Sequence, residues 1–158
     1  MIDKQDYYHG AAIIRLLEDA RCKALHKKGL LGYVVNESVF LFIKYTTKSR
    51  TPWRFTFDQE DIDRANRVAQ EYGTVLVPMV CAGDGVCVIT WDEGVLLLGN
   101  VPGFIAVARK HNEQYAVWGA YEDMKRKVSL RRWPSLVFDT HQSITSEAPA
   151  KLLIESQV

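Results

Sequence analysis

Lys44, Lys48, Arg50, Trp53 and Arg54 are residue types, at a spacing, with which a chain can hold a polyanion. They fall within Ser38 to Phe57, SVFLFIKYTTKSRTPWRFTF, a run of twenty residues without one acid. Ammonium and guanidinium groups with no neighbouring carboxylate project positive potential toward phosphate. An indole among them can stack on a base or another aromatic ligand. A plainer use of the same residues puts Trp53 in the core beside Phe55 and Phe57 and leaves the cations solvated.

The elements that must position this stretch are read from periodicity. Ala11, Ile14, Leu17 and Leu25 recur at helical spacing, which predicts a long first helix from about Asp6 to Lys28. The His26-Lys27-Lys28 cluster and Gly29 would close it, cations against the dipole and glycine beyond. Leu31 to Val35 predicts a strand, Asn36-Glu37 a tight turn, and Ser38 to Thr46 the hairpin partner. That partner is apolar on both sides through Val39–Ile43, so it belongs inside a sheet covered on both faces. Trp53 to Phe57 alternates apolar and polar, which predicts a half-buried strand.

Asp58-Gln59-Glu60-Asp61 predicts a helix start capped by Asp58, and Gly73 its end. Thr74 to Val80 is a second buried strand, turned by Ala82-Gly83-Asp84-Gly85 into Val86 to Trp91. Asp92 would cap a short helix to Gly99. Phe104 to Arg109 and Tyr115 to Gly119 form a last hairpin. The order predicts an α+β fold, a mixed α/β sandwich: helix, three-strand meander, helix and strand, with further C-terminal hairpins. One globular domain over residues 1–138 and a polar tail over 139–158, with a short amphipathic end at Leu152 to Ile154, complete the expectation.

Composition narrows the class without naming a function. The 158 residues are 47% hydrophobic and 25% charged, with a net charge of +1, so any electrostatic argument rests on distribution and not on the sum. No apolar run reaches the length of a membrane span, and Met1 to Gly10 has no signal-peptide core, which predicts a cytoplasmic protein without a membrane partner. Cys22, Cys81 and Cys87 cannot all pair within the chain, which fits reduced thiols.

Other groupings have local explanations. Arg109, Lys110 and His111 with Lys125, Arg126, Lys127, Arg131 and Arg132 form a second basic set, but Glu113, Glu122 and Asp123 lie among them and favour internal pairing. Cys81 and Cys87 flank a turn; a disulfide or half a metal site is conceivable there, and buried strand thiols fit better. Asp58, Glu60, Asp61 and Asp63 are caps and dipole partners before they are a cation site. His9, His26, His111 and His141 are scattered without a nucleophile partner. No cofactor and no metal is expected.

The order of elements, with Phe42-Ile43-Lys44-Tyr45-Thr46-Thr47, resembles the core of the PD-(D/E)XK nuclease-like superfamily over about residues 6–81. The resemblance implies a strand ending in carboxylate, any residue, lysine, and places Lys44 at the lysine. Phe42 stands where the carboxylate would be, and Gly32-Tyr33-Val34-Val35 lacks the other metal-binding acid. Divalent-metal hydrolysis needs at least two carboxylates, so the resemblance implies a degenerate, non-catalytic member. The Lys44–Phe57 stretch also resembles a group of bacterial proteins, a likeness that implies no activity.

Three functions are therefore expected in this order. The first is a non-catalytic or degenerate nuclease-like domain binding DNA, RNA or another polyanion through residues 44–54. The second is a protein-interaction or self-associating accessory module of a bacterium or phage, whose partner covers Trp53 and Trp133. The third is a working nuclease in which Glu18, Glu37 or Asp58 converges on Lys44.

Overall fold

The computed structural model describes residues 1–29 and 32–147, with the backbone alone for 140–147. The elements are α1 (Lys4–Leu17), β1 (Leu25–Lys28), β2 (Gly32–Val35), β3 (Val39–Leu41), β4 (Lys44–Thr46), β5 (Trp53–Phe57) and α2 (Gln59–Tyr72). β6 (Thr74–Cys81), β7 (Gly85–Thr90), α3 (Trp91–Leu98), β8 (Gly103–Ala108), β9 (Ala116–Gly119) and α4 (Arg132–Glu147) follow. The fold is α+β. Leu31 and Leu152 to Ile154 lie outside the described residues, and α4 carries the chain through Asp139 to Glu147.

Two sheets share the core. The larger has six strands, with β1, β2 and β3 as an antiparallel meander, β3 and β4 both parallel to β6, and β7 antiparallel to β6. The smaller is antiparallel in the order β5-β8-β9. The expected meander is present, but its strands are β1 to β3, and Trp53–Phe57 leaves for the second sheet.

Alternation along β3 explains the layering. Val39, Leu41 and Ile43 point into a cluster with Ala12 and Leu16 of α1 and Trp133, Val137 and Phe138 of α4. Phe40 and Phe42 point the other way, into a cluster with Ile62, Ala65 and Val68 of α2, Leu97 and Leu98 of α3, and the inner face of the second sheet. Each fully buried side chain of this size contributes about 1.5–3 kcal/mol relative to exposure. A strand covered on both faces has no polar side to show.

The expected single strand from Ser38 to Thr46 is divided into β3 and β4 without a change of register against β6. The Phe42 amide donates to the Leu76 carbonyl. In this ladder the return bond to the Phe42 carbonyl would come from residue 78, which is Pro78 and has no N–H. The missing donor interrupts the ladder where the strand assignment lapses.

The first helix is shorter than its periodicity predicts. It ends at Leu17 with Glu18 as C-cap. Asp19 then turns the chain by accepting the Arg21 amide, and the Asn36 side chain accepts the Lys23 and Ala24 amides and donates to the Arg21 carbonyl. His26, Lys27 and Lys28 form an edge strand, not a helix end, and Gly29 turns at φ +57° between β1 and the segment leading to β2. Pairing of Leu25 with Val35 overrides a helical spacing that Leu25 shares by coincidence. Exposed cations on such an edge discourage a further strand from adding.

The later boundaries follow the residues closely. Asp58 caps α2 in a reciprocal box with Asp61, and Gly73 ends the helix at φ +79°. The cap of α3 is Thr90, boxed with Glu93, and not Asp92: Trp91 is already helical, and its indole donates to Asn66. Cys81 and Cys87 are buried free thiols that do not face each other in the hairpin, since Cys87 pairs with Met79 and Cys81 with Gly85.

Candidate functional site

The structure divides the five predicted site residues. Trp53 is buried, 4% exposed, and its indole N–H donates to the Lys48 carbonyl at 3.0 Å. It therefore offers no ring to a base. Alternation is the reason, because Trp53, Phe55 and Phe57 all point inward from β5.

Lys44 is also withdrawn from the anion surface. Its Nζ donates to Asp61 Oδ2 at 3.2 Å and lies 4.7 Å from the centre of the Phe57 ring. Asp61 Oδ2 accepts the Asp58 amide as well, so one carboxylate closes the α2 cap and neutralises the lysine. Lys48 and Arg50 remain exposed, as does Arg54, which stands on the outward side of β5. No ion pair among the described residues involves these three.

Arg54 leads to a surface that the sequence does not delineate. Register pairs Arg54 with Ala106 and Ala106 with Trp118, so the three form one row across the second sheet. Trp53, Val107 and Val117 in the neighbouring row are buried on the inner side. Arg54 and Trp118 therefore stand on the outer side, two strand spacings or about 10 Å apart, with a small alanine between them. Phe104 occupies the next row of the same face, and the Arg54 guanidinium sits 3.8 Å from its ring centre. A guanidinium over a ring is a cation–π pair that also holds the arginine flat against the sheet.

Cations gather at one end and one side of this face. The loop carrying Lys48 and Arg50 leads into β5 and is tied to the end of β8 by the Arg109 amide, which donates to Thr51 Oγ1. Arg109 and Lys110 follow β8. On the far side the chain returns along β9, with bridges from Trp118 to Asp123 and from Tyr115 to Val128. Ala116 and Val117 lie between the bridges on β9, whereas Met124, Lys125, Arg126 and Lys127 lie between them on the returning segment. The longer side must bulge, and it carries exposed Lys125 and Arg126.

Thr51 and Pro52, which follow Lys48 and Arg50, thus meet Arg109, Lys110 and Lys127 of the second basic set. A cleft of about 310 Å³ lies between Thr51-Pro52 and Arg109, Lys110 and Lys127, and a second of about 470 Å³ lies under the 124–127 bulge. Both clefts are bounded by Ala116, Trp118 and Lys127. Two cations here are neutralised: Arg109 holds Asp84 through Nε and Nη2 at 2.9 and 2.8 Å, and Lys127 holds Glu113 at 2.6 Å. Glu122 and Asp123 are further acids on the returning segment. Lys48, Arg50, Lys110, Lys125 and Arg126 take part in no ion pair among the described residues.

Asp84 anchors that end of the sheet. It also accepts the hydroxyl of fully buried Tyr115 at 3.0 Å. The Arg109 guanidinium, and secondarily the Tyr115 hydroxyl, hold the Asp84 carboxyl below its ordinary range. Elsewhere Arg132 pairs with Glu93 of α3 at 2.9 Å, so the second basic set is partly spent internally, through the interleaved Glu113 for Lys127 and through a distant acid for Arg132.

Several alternatives lose their geometry. Trp133 is 4% exposed, and its indole donates to the Ala12 carbonyl, so neither Trp53 nor Trp133 can be covered by a partner. Among the described residues no group of three or more His, Cys, Asp or Glu side chains is placed to hold a metal ion. Asp61 is the carboxylate paired with Lys44, and it is occupied as a cap. No helix among the described residues is long and apolar enough to cross a membrane. The chain matches no family model, no curated protein and no solved structure.

Trp118 and Phe104 are the site residues that sequence reasoning misses. In Tyr115-Ala-Val-Trp-Gly119 either alternation puts apolar residues on both sides, so the outward set is not legible. The outward position of Arg54 is a usable signal, but the strand beside it has to be known.

Proposed function

We propose that the protein binds nucleic acid through the outer face of its second sheet and the cationic loop and bulge that border it. The observation that carries this reading is the placement of Arg54, Phe104 and Trp118 on one face, beside five cations without a carboxylate partner among the described residues. Positive potential along the margin attracts the phosphate backbone, and a flat aromatic floor accepts bases or sugars. A net charge of +1 is no obstacle, because attraction depends on local charge within a Debye length of about 8–10 Å. The reading needs no catalytic step.

Fluorescence-anisotropy titration of labelled oligonucleotides across a salt series tests it. Affinity should fall linearly on logarithmic axes, with a slope that diminishes by about 0.7 for each cation removed against a single strand, or about 0.9 against duplex. Lys48→Ala with Arg50→Ala, and Lys125→Ala with Arg126→Ala, should each flatten the slope by about two such increments. Absent binding, or binding indifferent to salt, would refute the proposal.

A further inference from the structure

We infer that the occupant of this face is single-stranded nucleic acid, with an unpaired base stacked on Trp118 and its neighbour received by the Arg54–Phe104 pair. The inference rests on the nucleic-acid reading above and specifies its substrate class. Four tryptophans are present, and Trp53, Trp91 and Trp133 are each 4% exposed, which leaves Trp118 as the half-buried indole on an outer face. Its backbone is fixed by the sheet, bridged to Asp123 on one side and paired with Ala106 on the other, so only the two side-chain torsions of the indole are left to order. A tryptophan on a fixed backbone loses little freedom when a ligand covers it.

The surroundings of Trp118 favour a base over a simple anion. Ala106 is only 1% exposed, but half-buried Ala108 and Ala116 line the cleft beside Trp118, and their small side chains leave room for a planar group to lie there. The Arg54 guanidinium is already stacked on Phe104, and such a plane accepts a second π-face on its open side. The two stations, about 10 Å apart across two strand spacings, are separated enough for different bases of one strand. The cations lie around this floor, at the Lys48–Arg50 loop, after β8 and on the Lys125–Arg126 bulge, where a backbone passing over it would carry its phosphates.

A duplex cannot use this floor. Both faces of each internal base are covered by neighbouring bases, so only the phosphates would reach the cations and the aromatic rings would gain nothing. Preference for single strands is therefore the signature of stacking, and charge alone does not produce it.

The experiment compares four probes of equal length and charge at one salt concentration: dodecathymidylate, dodecauridylate, an abasic twelve-residue strand and a blunt hairpin duplex. Base-bearing single strands should bind roughly tenfold or more tightly than the abasic strand and the hairpin. Trp118→Ala should remove that advantage and leave abasic-strand affinity unchanged, whereas Trp118→Phe should retain most of it. Uridylate against thymidylate reports whether RNA or DNA is the better source.

In parallel, acrylamide quenching of tryptophan emission should be suppressed by dodecathymidylate in the native protein. In Trp118→Phe, which preserves an aromatic ring and the fold, the protectable fraction should vanish. Equal affinity for abasic and base-bearing strands would overturn the stacking inference while the nucleic-acid reading stands. Absence of binding to all four would overturn both. A stable dimer by light scattering, with Trp118 shielded from acrylamide in the free protein, would overturn the inference by giving the face to a second copy.

Discussion

Replacing Gly85 by alanine tests the anchoring of the cationic end of the second sheet. A Cβ on Gly85 would lie 2.6 Å from the Tyr115 hydroxyl, with the next nearest atom, Tyr115 Cζ, at 3.9 Å. The hydroxyl is held by Asp84 at 3.0 Å, and the ring around it is fully buried. To admit the methyl group the hydroxyl must move, which forfeits a bond to a charged acceptor worth about 1.5 kcal/mol and adds overpacking strain of about 1 kcal/mol. Gly85→Ala alone should therefore cost about 2.5 kcal/mol.

Tyr115→Phe alone loses the same bond and should cost about 1.5 kcal/mol, since Arg109 continues to satisfy Asp84. In the double variant the obstructing oxygen is gone and the new methyl meets Cζ at ordinary contact distance. The double variant should then cost about 1.5 kcal/mol, not the roughly 4 kcal/mol of additive behaviour, a coupling of about 2.5 kcal/mol. Urea unfolding of the four proteins measures it. Additive costs within about 0.5 kcal/mol would refute the claim that the Tyr115 hydroxyl is pinned against Gly85, and with it the reasoning that locks this end of the sheet.

Two further outcomes follow from the charges. Asp84 has its carboxyl held below the ordinary value of 3.8, first by Arg109 and then by the Tyr115 hydroxyl, so its contribution is complete above that value and lost as pH falls through the lowered one. Asp84→Asn should therefore lower stability at pH 7 and flatten the acid limb below about pH 4, followed by circular dichroism across an acid series. Lys44→Met should lower stability by about 1 kcal/mol, because it leaves the Asp61 carboxylate without its cation, while that carboxylate keeps the Asp58 amide and the methionine keeps an apolar contact with the Phe57 ring. It should also leave oligonucleotide affinity unchanged; a tenfold loss would return Lys44 to the binding surface.

The sequence by itself determined what each segment wants locally. Asp58 as the cap of α2, Gly73 as its end, the Asn36-Glu37 turn and the two-sided burial of Val39–Ile43 follow from residue chemistry within a few positions, and the structure has all four. Local preference was insufficient where a distant partner decides: Leu25 fits a helix until Val35 pairs with it, and Ser38–Thr46 is continuous until Pro78 removes a donor from the neighbouring strand.

The candidate site shows the same division. The cationic stretch at 44–54 was legible because it is contiguous, but Trp53 and Lys44 within it are turned inward by the parity of their strands, Trp53 into the core and Lys44 toward Phe57 and Asp61. Only tertiary structure chose β8 and β9 as the neighbours of β5, and so set Arg54 beside Phe104 and in one row with Trp118. Sheet register is a long-range property: it is fixed by which apolar faces can be buried together, and no single segment carries that information.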